Sequence, residues 1–208
     1  MRFRIVRSIF FAAALPVLVA ACGSPRPIHY YSLDPPAVAP APQRLDVSLL
    51  IGHVGAPLVY RDSHILYRTG PNELGVYQDH RWAESPALMV QEMMLQSLRS
   101  SGRYRSVQLL SSNAQGDYIV RGRVEHFEQV EGSPLTSRVG LHFSLYDPKE
   151  GQTVWTKDYQ KDENVAGNDV SSVAASLNHN LQQGVLEITA ALDQYLTAHP
   201  RPAATAAK

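Results

Sequence analysis

Apolar residues recur with period two at Leu45, Val47, Leu49 and Ile51, the spacing of a strand with one buried face. Residues 52–62 break that pattern and read as loop or irregular edge. Ile65 to Arg68 is a short strand candidate, Gly70-Pro71-Asn72 a turn, and Leu74 to Tyr77 a strand returning across it. Ser85 and Pro86 then mark a helix start, with Ser as N-cap and Pro at the first helical position. Val90, Met94 and Leu98 share one face of that helix, with Leu88 and Leu95 beside them, and Gly102 closes it. Its methionines read as packing residues that fill gaps in a core.

Period two returns over Tyr104 to Leu110, Asp117 to Glu128, Arg138 to Tyr146 and Thr153 to Gln160. Asp147-Pro148-Lys149-Glu150-Gly151 is a turn, and the last three strands predict an antiparallel meander. The final element is the longest helix. Asp169 is its cap, and Val170, Val173, Leu177, Leu181, Val185, Ile188, Leu192 and Tyr195 form its apolar stripe. A stripe of that length has to bury against the sheet. The predicted fold class is α+β: a single domain with a mostly antiparallel sheet and two helices packed on one face.

The flanks follow other rules. Arg2, Arg4 and Arg7 precede an apolar run from Ile9 to Ala21 that is interrupted by Pro16. The run falls short of the ~20 residues that span a bilayer, and with small residues at its end it reads as a signal peptide. Val19-Ala20-Ala21-Cys22 resembles a bacterial lipobox, and Cys22 is the one cysteine in the chain. That count excludes an intramolecular disulfide and CxxC zinc or redox sites. The resemblance implies that the Cys22 thiol takes a diacylglycerol and that the amine freed by cleavage takes an acyl chain. No other cofactor and no metal is expected. An ordinary signal peptide with an incidental cysteine is the competing reading. Gly23, in place of the aspartate associated with inner-membrane retention, resembles the outer-membrane sorting pattern.

Residues 23–44 hold six of the fourteen prolines and favour an extended tether. Within it, residues 30–33 are expected to dock on the domain. Six free residues, Gly23 to Ile28, then reach roughly 20 Å. The expected organisation is a signal peptide over 1–21, a lipidated cysteine and tether over 22–44, a folded domain over 45–198, and a disordered tail over 199–208.

Composition adds exclusions. Lys+Arg and Asp+Glu are both 19, for zero net charge, which argues against a uniformly basic nucleic-acid binder. Removing the three arginines of the signal leaves 16 basic and 19 acidic residues, a slightly acidic mature chain. The eight histidines show no HExxH or HxH spacing, and neither a GxSxG elbow nor a P-loop occurs. No catalytic residues are assigned and the chain is expected not to be an enzyme. Arg81-Trp82, at a loop-to-helix junction, is an aromatic-cationic pair of the kind favoured at interfaces. Arg81, Trp82 and Tyr60 are the partner-interface candidates. Packing over the helix start is the other role open to Trp82.

Taken in order, the lipobox, Tyr30-Tyr31-x-Leu33, Pro57-Leu58, Ile65 to Gly70 running into Pro71-Asn72-Glu73-Leu74, and Arg81-Trp82-Ala83-Glu84 resemble the ABC-type transport auxiliary lipoproteins, the PqiC/YmbA-like group. The resemblance covers roughly residues 22–196. It implies a non-enzymatic lipoprotein of a Gram-negative envelope, held in the outer membrane by its acyl anchor and facing the periplasm. Implied partners are an MCE-domain protein (PqiB-like), its inner-membrane permease and further copies of the chain, in a system moving lipids or other apolar molecules. A second function reading is a carrier that holds a lipid between sheet and helices.

Overall fold

A computed structural model describes residues 26–200. The signal peptide, Cys22 and the tail from residue 201 onward lie outside the described residues. The cleanest alternation in the sequence forms the longest strands: β6 (Tyr118–Val130), β7 (Thr136–Asp147) and β8 (Gln152–Asn164). They make the predicted antiparallel meander. Its register sets Val120 opposite Leu145, Val124 opposite Leu141 and Phe127 opposite Val139, so all six side chains share one buried face. The final helix, α2 (Val170–Ala198), lies across that face. Leu177, Leu181, Val185, Ile188 and Leu192 are all buried there, as the stripe predicts. The Asp169 carboxylate accepts a hydrogen bond of 2.7 Å from the Ser172 amide, the expected N-cap.

The other strands are β1 (His29–Tyr31), β2 (Leu45–Gly55), β3 (His64–Gly70), β4 (Glu73–Trp82) and β5 (Tyr104–Leu109). All eight form one sheet in the order β1-β4-β3-β6-β2-β5, with β7 on the far edge of β6 and β8 outside it. The helix that begins at Pro86, α1 (Pro86–Ser100), packs on β2, β5 and β6 and against α2, so both helices cover the same face. Gly102 follows α1 at φ +60°, the left-handed conformation expected of a closing glycine.

The sheet is mixed, which corrects the expectation of a mostly antiparallel one. β1–β4, β2–β5, β2–β6 and β3–β6 are parallel. The three antiparallel pairs are those joined by short turns. A short turn forces the chain back on itself, whereas a crossover through α1 lets strands run the same way. Alternation within a strand reports its buried face and is silent about its partner.

Smaller corrections follow from packing. The segment expected to be loop from Gly52 continues as strand to Gly55, past an irregularity between Ile51 and Val54, and Leu58–Tyr60 forms a 3₁₀ turn. Leu88 is 45% exposed and does not join the face of α1, which buries Met89, Val90, Met93, Met94 and Leu98. The space between helices and sheet is filled by Leu49, Ile51, Met94, Phe127, Phe143 and Leu177, all nearly inaccessible. Two clefts among the described residues, of about 440 and 270 Å³, flank the segment of residues 32–42 where it crosses the helices.

Helix and sheet meet closely at Gly184, where a Cβ would stand 2.7 Å from the Tyr159 ring. The Tyr159 hydroxyl donates to Asn180 Oδ1 at 2.7 Å, and burial pushes this phenol up to about 12. Gly184→Leu would overpack this contact and is expected to cost about 1–3 kcal/mol, measured by denaturant unfolding. Unchanged stability would contradict the contact.

Candidate functional site

The two motifs that are most specific in the sequence come together in space. Tyr30-Tyr31 is the core of β1, and Arg81-Trp82 is the end of β4. The strands pair in parallel with Tyr30 opposite Arg81 and Tyr31 opposite Trp82. The Ala83 amide donates to the Tyr31 carbonyl at 2.7 Å, and the Trp82 amide donates to the Ser63 carbonyl at 2.6 Å. The residues just before the helix start thus hold the segment that leads back to Cys22.

Side chains complete this clamp. Trp82 is 1% exposed, with its ring 5.3 Å from Phe127 and 6.4 Å, edge-on, from Tyr31. The Tyr31 hydroxyl meets His80 Nδ1 at 2.9 Å and Ser171 Oγ at 3.3 Å, which ties β1 to the first turn of α2. His80 also stacks on His29 and Tyr31, at centroid separations of 5.1 and 5.7 Å. Beyond β1, the Asp34 amide donates to Asn178 Oδ1 at 3.0 Å, and Gln182 Nε2 donates to the Asp34 carbonyl at 2.9 Å. Further on, the Ala41 amide reaches the Ser101 carbonyl at 2.8 Å. The proline-rich stretch is therefore laid along the helices, and the docking expected of residues 30–33 takes the form of strand pairing.

The three interface candidates fall in different places. Trp82 and Tyr60 are interior, at 1% and 2% exposure, and act as packing residues of this fold. A partner docking on the folded surface would not touch them. Arg81 is partly exposed, and its Nη1 donates to the carbonyls of Tyr77 and His80.

Tyr60 belongs to a buried polar cluster on the face of the sheet away from the helices. Glu128, with no exposed side-chain surface, accepts from the Tyr60 hydroxyl and from Arg68 Nε at 2.7 Å. Arg68 Nη2 adds a longer contact at 3.3 Å to the second carboxylate oxygen. His126 Nδ1 lies 3.6 Å from the same carboxylate. Burial, then the Glu128 carboxylate, drives the Tyr60 phenol far above its ordinary value, and the Glu128 contact raises the Arg68 guanidinium. A carboxylate so deep in the fold is held by this pairing. Nothing in the spacing of Tyr60, Arg68 and Glu128 announces the cluster. It forms because the 56–63 loop folds over that part of the sheet. Among the described residues, no group of three or more His, Cys, Asp or Glu side chains is arranged to hold a metal.

This arrangement holds and positions a chain segment. Residues 31–189 match the family model of the ABC-type transport auxiliary lipoprotein component, and the chain belongs to that family. Among solved structures it is similar to protein XCC0632 of Xanthomonas campestris, with 20% identity, 82% of this chain and 99% of that one covered, and a TM-score of 0.72. A second crystal structure, of an uncharacterized protein, shares 13% identity over 80% of this chain and 99% of its own, at a TM-score of 0.64. The hypothetical protein CT253 of Chlamydia trachomatis shares 11% over 74% and 99%, at 0.50. At these identities the neighbours establish the fold alone. The comparison with curated proteins returned no match.

Two substitutions test the site. Trp82→Ala removes the centre of the clamp and is expected to cost about 3–5 kcal/mol. Glu128→Ala leaves Arg68 and Tyr60 facing a hole and is expected to cost a similar ~3–5 kcal/mol. Thermal unfolding measures both. Wild-type stability in either variant would show that the side chain does not carry the packing assigned to it.

Proposed function

We propose that the chain is an acyl-anchored docking component of an intermembrane transport system. Acylation at Cys22 holds it at the periplasmic face of the outer membrane, where it meets an MCE-domain protein whose inner-membrane permease completes the route. The family makes the chain an auxiliary lipoprotein of ABC-type transport. The lipobox-like Val19-Ala20-Ala21-Cys22 and the Gly23 that follows support the anchor and its destination.

The observation that carries this reading is the β1–β4 clamp. Only seven residues separate Tyr30 in the clamp from Cys22, and Tyr31 is locked to Trp82, which itself packs on Phe127, and to the start of α2. A tether secured so close to its acyl group holds the domain in a fixed relation to the membrane. That suits a docking piece better than a carrier that must leave the surface. The filled interface between helices and sheet likewise favours docking over internal lipid carriage.

Cys22→Ala is expected to accumulate as unprocessed precursor that takes up no labelled palmitate. Normal processing of this variant would remove the anchor from the account. In detergent extracts, the wild-type lipoprotein is expected to co-purify with the MCE-domain protein of its own cell. A folded, acylated lipoprotein that repeatedly fails to do so would contradict the docking role.

A further inference from the structure

We propose that the smaller cleft, between residues 32–35 and α1, takes a lysine or arginine side chain of the transporter partner, with Leu88 packing beside it. This rests on the docking role above and gives that docking a surface and a partner chemistry. The cleft holds about 270 Å³ and lies where the two motifs of the clamp run on past their pairing. Ser32 and Leu33 enter it from the Tyr30-Tyr31-x-Leu33 stretch, and Ala83 and Glu84 from Arg81-Trp82-Ala83-Glu84. The clamp uses Tyr31, Trp82 and the Ala83 amide. It leaves the Glu84 side chain exposed and unused.

The helix side of the cleft has two rows. Met89 and Met93 are four residues apart, share a face and are buried to form the floor. Glu92 and Gln96, also four apart, stand exposed along the rim, where Gln96 Nε2 donates to Glu92 Oε1 at 2.8 Å. Leu88 precedes Glu92 by four residues and so extends this outer row toward the helix start, where Glu84 stands. It is among the exposed large apolar side chains of the chain and adds nothing to the core.

The charge at this rim is one-sided. Among the described residues, neither Glu84 nor Glu92 forms an ion pair. Carboxylates of similar exposure on the other sheet face do find cations, as Asp162 does with Arg138 and Glu125 with Arg123. The single basic residue of α1 is Arg99, seven residues beyond Glu92, and its Nε donates to the Val107 carbonyl at 2.8 Å.

An apolar floor beneath two free carboxylates matches one kind of side chain. Lysine and arginine lay an aliphatic stem along apolar surface and carry the charge at the tip. The unbranched thioethers of Met89 and Met93 adapt to such a stem. The volume falls below the ~300–1,000 Å³ of pockets that enclose a small-molecule ligand. Two carboxylates also repel an anionic lipid surface. The occupant is therefore a basic side chain on a protein partner, flanked by an apolar residue that meets Leu88.

The test measures binding of the full acylated lipoprotein, in detergent micelles, to the MCE-domain protein of the same cell at low and at high salt. Glu84→Gln combined with Glu92→Gln, Leu88→Ser alone, and Glu125→Gln on the other sheet face are compared with the wild type. All four positions are at the surface, and matching thermal melts check that the variants fold. The double neutralisation is expected to weaken binding about tenfold at low salt and to flatten its salt dependence. Leu88→Ser is expected to weaken it about as much, roughly tenfold, with the salt dependence kept. Glu125→Gln should bind as the wild type does. Wild-type affinity in the double variant and in Leu88→Ser would overturn this surface and leave the docking role standing. Equal weakening by Glu125→Gln would show a diffuse effect of net charge and overturn the site. A change in the sedimentation of the double variant alone, without partner, would assign the cleft to a second copy of this chain and overturn the proposal. No binding by folded, acylated wild type would overturn the docking role and this surface together.

Discussion

The indole of Trp82 packs on Phe127 from the central meander and meets the edge of Tyr31 from the first strand. It is almost wholly removed from water, and an indole of that size buries more apolar surface than any other side chain in the clamp. Its backbone is equally committed: its amide donates to Ser63 at the start of β3, and the next amide, of Ala83, closes onto Tyr31. A three-residue edge strand has little stability of its own. β1 stays in place because it is pinned through Tyr31 to Trp82, His80 and Ser171. The course of the chain through β1 into the domain depends on that one packed aromatic junction.

The sheet face away from the helices is organised differently. Its surface is largely ion-paired: Arg138 with Asp162, Arg123 with Glu125 and His142 with Asp158, while Arg121 lies over the Tyr146 ring. At one place the 56–63 loop closes over it and buries Glu128 with Arg68 and Tyr60. Such a pair adds little net stability over an apolar substitute, but removing one partner is costly. The cluster thus fixes the loop in a single arrangement over β3 and β6.

Most elements were legible because their faces are unambiguous. Val139, Leu141, Phe143 and Leu145 alternate without exception, and the α2 stripe repeats over 29 residues. Turn chemistry gave the β3–β4 and β7–β8 pairs, and the succession of alternating strands gave the β6–β7 pair. The parallel pairs were hidden, since nothing along β2 says that β5 and β6 are its neighbours. The family resemblance rested on Tyr30-Tyr31 and Arg81-Trp82, two motifs fifty residues apart, and the family match bears it out. Their direct pairing is a tertiary fact that neither motif announces alone. The same blindness left Trp82 open between an interface anchor and a packing residue. Its neighbours Arg81 and Glu84 are polar, while the surfaces that bury it come from residues 31 and 127. Tyr60 reads as surface for the same reason, because it sits on a loop that only the fold brings back over the sheet, where its hydroxyl meets Glu128.

An auxiliary lipoprotein needs a membrane attachment and a surface held at a set position for its transporter partners. In the docking role proposed above the clamp connects the two: the segment that leads back to Cys22 is built into the sheet as a strand, and the next stretch of chain lies along the helices. Hydrogen exchange of the full-length protein tests this claim most directly. If β1 is an integral strand, the Ala83 amide, which donates to Tyr31, exchanges as slowly as amides of the β6–β7 pair, opening only with global unfolding. Rapid exchange at Ala83, with β6 and β7 still protected, would show a tether that detaches freely and would contradict the account.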